Sequence, residues 1–317
     1  MPGISSTWIS GNDGTTVAQT KGIARRGLAK VRRVLSGSDA QAQAARIAKL
    51  QAQLDESHAK QARLREKVAE LRGERAQLRT EFTVCRNSVR DPHPRLPVPD
   101  RVEQVITQVR QERLSYLSTP SLRVLARLAL AADRDELPGL VIEAGTALGG
   151  SAIVMAAAKA AERPMKVYDV FGMIPEPSEQ DGTDVHQRYE QITAGAATGV
   201  GGDVYYGYHD DLYAEVNASF ARLGVATDAT NVELVRGLFA DTIHLDEPVA
   251  LAHLDGDWYE STLTCLERIV PLLVPGGRVV LDDYFAWSGC RKAVDEYFAG
   301  RKGFLLEWRT KMHVVRL

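Results

Sequence analysis

The 317-residue chain reads as an α/β fold on a mostly parallel sheet, with a C-terminal antiparallel hairpin and an N-terminal coiled-coil helix. Three observations predict this. From residue 140 onward, apolar runs of strand length alternate with helical segments, the pattern of successive βαβ units. Leu251 to Tyr284 (LAHLDGDWYESTLTCLERIVPLLVPGGRVVLDDY) holds one unit complete: apolar run, helical segment, Pro275-Gly276-Gly277 turn, second apolar run. Residues 38–90 contain no proline and keep a heptad register. A hydrophobic content of 44% suffices for a buried core, and the length leaves about a hundred residues beyond one ordinary domain.

Residues 1–37 form a tail. Its first twenty positions are rich in Gly, Ser and Thr and are expected to be disordered. Arg25, Arg26, Lys30, Arg32 and Arg33 then interleave with Ile23, Leu28, Val31 and Val34. This is either a solvated basic tail or a weak contact for an anionic membrane surface or a protein. Six Lys/Arg against Asp13 leave the tail at +5, so the net charge of −2 hides about −7 on the rest. That balance gives no nucleic-acid surface outside the tail. Cys85, Cys265 and Cys290 make no CxxC pair, and no early apolar run has the length of a signal peptide or a membrane span. The expected compartment is cytoplasmic.

Residues 38–90 are read as a coiled-coil helix. With Ile47 at a, the a series runs Ile47, Leu54, Gln61, Val68, Arg75, Phe82, and the d series Leu50, Ser57, Leu64, Leu71, Leu78, Cys85. In a parallel pair, Lys60 would face Arg65 and Lys67 would face Arg72, while Glu74 and Arg79 attract. The seam therefore predicts no strong zipper: the helix dimerises weakly, assists a dimer formed by the following domain, or packs on an acidic partner, and the expected state is a homo-oligomer, a dimer. The prolines of residues 91–99 end the helix and mark a linker. The domain proper is placed at 100–317, opening with helices near 100–114 and 120–132, the second with Thr119 at N-cap and Pro120 at N1.

The first strand, Leu140 to Gly145, leads through a glycine-rich turn, Thr146 to Ser151, into an alanine-rich helix. Such a turn lets a ligand approach the backbone at a helix N-terminus. Glu143, near the strand end, suits a cationic group such as the amino end of a methionine moiety. The second strand ends at Asp169, in the position where nucleoside-binding sheets use an acid for ribose hydroxyls. Residues 172–207 show little pattern; His186 and Asp203 there, and His209 just beyond, could meet a polar substrate. Residues 210–223 are helical again, and Asn231–Val235 is a third strand. In the Leu251–Tyr284 unit both strands end on one side of the sheet, which delivers Asp255, Asp282 and Asp283 together at its carboxyl edge. One strand-end aspartate is commonly a cap or turn former. Three converging carboxylates repel one another and suit a hard divalent cation such as Mg²⁺. A helix near Cys290–Phe298 and a hairpin of Phe304–Arg309 with Met312–Leu317 close the chain.

LDGDWYEST (254–262) and VPGGRVVLDDY (274–284) carry a family likeness, supported by GCRKAVDEY (289–297), VRGLFADTI (235–243) and AEVNASFARLGV (214–225). From about residue 100 the chain resembles class I S-adenosylmethionine-dependent methyltransferases, and specifically the macrocin-type (TylF/MycF) sugar O-methyltransferases. The resemblance implies a Rossmann-like fold, S-adenosylmethionine and Mg²⁺ as cofactors, and methyl transfer to a hydroxyl of a sugar-containing small molecule or glycan. It implies Asp255, Asp282 and Asp283 as metal ligands and Asp255 or Asp257 as general base. The cofactor set is Glu143, Gly145 and Thr146 on the methionine side, Gly149 and Ser151 further along the same turn, Asp169 at the ribose, and Gly237 and Phe239 beside the adenine. The competing readings are another nucleotide-dependent sugar-modifying enzyme and a coiled-coil assembly protein on an inactive fold.

Overall fold

The computed structural model describes residues 38–89 and 91–317, with side chains within 41–73 and 91–317. It distinguishes two compact units, divided between Glu81 and Phe82. The long helix α1 spans Ser38–Val89. Its seam residues Leu50, Leu54, Leu64, Val68 and Leu71 are 45–65% exposed, and no other described residue covers that stripe. Lys60 pairs with Glu56 and Lys67 with Glu70 along the same helix. The side chains of Arg75, Leu78, Phe82 and Cys85, and the whole 1–37 tail, lie outside the described residues. No described helix is long and apolar enough to cross a membrane.

The elements of the second unit follow in chain order. Helices α2 (Asp100–Gln111) and α3 (Thr119–Arg134) precede β1 (Leu140–Ala144), α4 (Gly150–Ala158), β2 (Met165–Asp169) and α5 (Thr183–Thr193). Then come α6 (Leu212–Arg222), β3 (Val232–Arg236), the single turn α7 (Phe239–Thr242), β4 (Val249–Leu254), α8 (Tyr259–Ile269) and β5 (Leu273–Leu281). Helix α9 (Ser288–Phe298) and the hairpin β6 (Phe304–Trp308) and β7 (Met312–Arg316) end the chain.

The sheet order is β3-β2-β1-β4-β5-β7-β6, with β1 to β5 parallel and β7 antiparallel to both its neighbours. Side chains alternate between its faces. Val141, Leu251 and Val280 pack beneath α2, α3, α4 and α6, whereas Ile142, Ala252, Leu254 and Val279 pack beneath α8 and α9. Helix α2 buries Val102, Val105, Ile106 and Val109, the i, i+3, i+4, i+7 stripe of an amphipathic helix. The 91–99 segment is tied to α3: Arg127 pairs with Asp91 and donates from Nε to the Leu96 carbonyl at 2.8 Å.

Three local readings change. The N-cap of α3 is Ser118, not Thr119, because the Ser118 hydroxyl accepts from Ser121 N–H at 3.3 Å and Pro120 sits one place further in. Pro275-Gly276-Gly277 does not separate the helix from the strand. Val249 pairs with Leu273 and Leu251 with Arg278, so the motif bulges inside β5, with Gly276 at φ +80°. The unpatterned 172–207 stretch contains α5 and a small core of its own: Ile174, Val185, Ile192, Ala197 and Tyr205 gather on Trp258.

Candidate active site

Strand order reverses between β1 and β4, which is where open α/β sheets bind ligands at the carboxyl edge. Glu143 stands opposite His253, and Ala144 opposite Leu254. The ladder runs one residue past the strands: Asp255 N–H donates to Ala144 O at 2.8 Å and Asp282 N–H to Leu254 O at 2.9 Å. The approach is closest at Gly145. A Cβ there would lie 1.9 Å from the Asp255 carbonyl oxygen, and φ is +87°, so the position admits glycine alone.

Ligand-competent oxygens of Asp255, Asp282 and Asp283 lie within 4.8 Å of one another. Burial, reinforced by the neighbouring carboxylates, raises the pKa of both Asp255 and Asp283 well above the usual range. Asp282 goes the other way. Burial would raise it, but His253 and Lys311 outweigh burial and lower it. Asp257 is pushed up to about 8 by burial and then by the Asp255 charge, against a stabilising N–H from Trp287. That N–H, Nε1, donates to Asp257 Oδ1 at 2.9 Å, and Asp257 N–H donates to Asp283 Oδ2 at 3.1 Å. These bonds hold Asp257 at φ +56°, a left-handed conformation costing roughly 1–2 kcal/mol for a residue with a Cβ.

A buried polar row runs behind the carboxylates. The Ser151 hydroxyl donates to Glu143 Oε1. Glu143 Oε2 lies 3.3 Å from His253 Nδ1, and His253 Nε2 lies 3.4 Å from Asp282 Oδ1. Lys311, from the β6–β7 turn, reaches Asp282 Oδ2 and its carbonyl. Burial would depress the His253 pKa, yet the two carboxylates, Glu143 first, raise it to about 10. The imidazolium thus balances two buried acids. His253, Lys311 and Trp287 were not found by sequence reasoning. The one signal was a lone histidine inside the otherwise apolar VALAHL run of β4.

The cavity at the switch point holds about 890 Å³ of empty space, its mouth included. Of the expected residues, Gly145, Asp169, Phe239, Asp255 and Asp257 line it, with Asp282 and Asp283 just behind. Glu176 and Glu260 also line it, so the wall is acidic. Glu143 does not reach the cavity: it is fully buried, bonded to Ser151 and facing His253. Thr146, Gly149, Ser151 and Gly237 also lie outside the lining and shape it from behind. Gly149 caps α4 at φ +87°, where a Cβ would press on Val216. Gly237 turns β3 into α7 at φ +148°. Asp169 fastens the glycine turn to β2, accepting from Thr146 N–H (2.7 Å), Ala147 N–H (3.1 Å) and Phe171 N–H (2.7 Å), and burial still raises its pKa.

The 172–208 segment roofs this cavity through Ile174, Pro175, Ser178 and Tyr206. Trp258 Nε1 donates to Pro175 O at 2.9 Å. Asp181 accepts from Tyr259 N–H at 2.8 Å, and Asp184 from Ser288 N–H at 2.9 Å, so two acids of the segment bind the first turns of α8 and α9. Asp203 and His209 are engaged elsewhere, with Arg113 and Glu215 respectively.

This strand order with its terminal hairpin, and a cavity at the β1–β4 switch point, define a class I methyltransferase fold. A solved O-methyltransferase, NovP, superposes with a TM-score of 0.54 at 21% identity, covering 68% of this chain and 96% of that one. A family model described as macrocin-O-methyltransferase (TylF) matches residues 46–303, and the chain belongs to that family. It is an S-adenosylmethionine-dependent O-methyltransferase. The match begins inside α1, well before residue 100, where the legible motifs start. Among relatives, 8-demethyl-8-(2,3-dimethoxy-alpha-L-rhamnosyl)-tetracenomycin-C 4'-O-methyltransferase of Streptomyces olivaceus is 34% identical over 67% of this chain and 75% of its own length. Mycinamicin III 3''-O-methyltransferase of Micromonospora griseorubida is 30% identical over 52% of this chain and 62% of its own.

Proposed function

We propose that the protein transfers a methyl group from S-adenosylmethionine to a sugar hydroxyl, with Mg²⁺ held by Asp255, Asp282 and Asp283. The observation that carries this reading is the cluster of three carboxylates beside an acidic cavity at the strand ends. The donor set is all oxygen and fits a hard cation. The repulsion that raises Asp255 and Asp283 is relieved by a divalent ion, and Asp282 Oδ1 accepts no hydrogen bond within normal geometry from a described residue, with His253 Nε2 facing it at 3.4 Å. Sugar-active relatives in the same family support the acceptor class.

The acidic wall draws in a cofactor bearing sulfonium and ammonium charges. Glu143 acts on it through Ser151, whose hydroxyl it fixes at the head of α4. When bound, Mg²⁺ lowers the acceptor hydroxyl's pKa and fixes its oxygen, while S-adenosylmethionine supplies the methyl group and a neutral leaving group. Asp257 is favoured as the general base over Asp255, which belongs to the ligand set. It faces the cavity and is oriented by Trp287, and burial raises its pKa towards the range where a carboxylate accepts a proton effectively. Trp258 and the 172–208 roof exclude water from the transfer. The uncovered seam of α1 supports self-association as a dimer.

The test is Asp255→Ala and Asp282→Asn, assayed with labelled cofactor on a panel of glycosides. Each variant should lose at least a hundredfold in turnover while still binding S-adenosylhomocysteine. EDTA should silence the wild type and Mg²⁺ restore it; full activity in excess chelator would refute the metal role.

A further inference from the structure

A second cleft opens at the same sheet edge, on the β5–β7–β6 side, away from the cofactor cavity. Phe285 and Trp308 line it with their rings 4.9 Å apart and tilted by 33°. Phe285 is 38% and Trp308 49% exposed. Arg291, Arg309 and the hydroxyls of Ser121 and Thr310 complete the lining. The contrast with the cofactor cavity is in charge. That cavity is lined by five acids, whereas no carboxylate among the described residues lines this cleft.

The two arginines are held in place. Arg291 donates from Nε to Tyr284 O at 3.1 Å and lies 5.6 Å over the Tyr284 ring, with neither Nη group donating to a described residue. Arg309 donates to Glu307, but Glu307 also accepts from Arg278, so one negative charge is shared by two guanidinium groups. Ser118 and Ser121, at the start of the sixteen-residue α3, bring the positive end of that helix dipole to the same wall. The cleft adjoins the reacting centre. Phe285 lies two residues, at most about 7 Å of chain, beyond Asp283. Thr310 precedes Lys311, which grips Asp282.

We propose that this cleft is an acceptor subsite for an anionic carbohydrate. A neighbouring sugar ring of the acceptor lies on Phe285 and Trp308, and its phosphate or carboxylate meets the Nη groups of Arg291. Sugar rings present C–H faces that pack on aromatic rings, and guanidinium forks match both oxyanions. The inference rests on the sugar O-methyltransferase reading and adds the charge of the acceptor. A neutral glycoside would offer no oxyanion to the Nη groups of Arg291.

The experiment compares three probes with the full-length enzyme: a neutral methyl hexoside, the matching hexose 1-phosphate, and a disaccharide of that hexose with a uronate. At least one charged probe should exceed the neutral one about tenfold in kcat/KM, chiefly through KM. Which one does so separates a phosphate from a carboxylate ligand. In Arg291→Ala the charged-to-neutral ratio should fall towards one, and Arg291→Lys should recover part of it. S-adenosylhomocysteine affinity, measured by calorimetry, establishes that the variants are folded. Calorimetry of the favoured charged probe on the S-adenosylhomocysteine complex should show the same loss without turnover. Equal kcat/KM for charged and neutral probes, or a ratio that survives Arg291→Ala, overturns the subsite and leaves the sugar-acceptor reading standing. Failure of a cofactor-binding enzyme to methylate any of the three, or the glycoside panel, overturns both.

Discussion

Replacing His253 by alanine removes the cation that faces both Glu143 and Asp282 inside the sheet. Breaking a buried ion pair costs about 3–5 kcal/mol, because the partner charges stay behind. His253→Ala should therefore shift the denaturation midpoint strongly, and urea titration reads it directly. Glu307 offers a pH-dependent counterpart. Burial opposes its ionisation, but Arg309 and Arg278 hold its pKa at about 2, against an ordinary 4.5. A depressed carboxylate stabilises the fold above its unfolded pKa, here by up to about 3 kcal/mol at neutral pH. That contribution fades as pH falls from about 4.5 to about 2. The melting-temperature gap between wild type and Glu307→Gln should narrow towards zero over that window, because the protonated glutamate is as neutral as the glutamine. At this scale Asp255, Asp257, Asp282 and Asp283 were legible because each follows the end of an apolar strand. His253, Lys311 and Trp287 were not, because their roles depend on cross-strand register and on a hairpin turn brought back to β5. Local sequence does not set those long-range pairings.

Among the elements, α5 was hidden by its composition. Its buried residues are only Val185 and Ile192. With Tyr189, which packs beside them, they give an i, i+4, i+7 stripe short enough to pass for loop sequence. Helix α1 was legible from its heptads, and the structure adds the pairs Lys60–Glu56 and Lys67–Glu70, both more than half exposed. Such pairs are worth a few tenths of a kcal/mol. They do not offset the Lys60–Arg65 and Lys67–Arg72 repulsion of a parallel pair together with Arg75 in the seam. A peptide of residues 38–90 should be weakly helical at low salt and gain helix as salt screens these contacts, followed by circular dichroism. A tight dimer at low salt would show that the register or the strand orientation is different.

For the molecule as a whole, the β/α alternation, the parallel sheet and the hairpin were all readable, since each strand is a compact apolar run with its own turn. Every residue assigned to chemistry lies in the second unit, which has cores on both sheet faces. Residues 91–317 should therefore fold and methylate without α1. Activity of the truncated enzyme and of the full chain, measured side by side, checks this. A folded but inactive fragment would make α1 a part of the working enzyme, a role compatible with a family match that begins at residue 46.

The row from Ser151 through Glu143, His253 and Asp282 to Lys311 constrains how this protein can change over generations. Its members come from β1, β4, the head of α4, the end of β5 and the hairpin turn, yet they share one charge balance. Losing any charged member alone strands its neighbour in the interior, so most single steps lead downhill in stability. A change at one of these positions should therefore be tolerated best when its neighbour in the row changes with it.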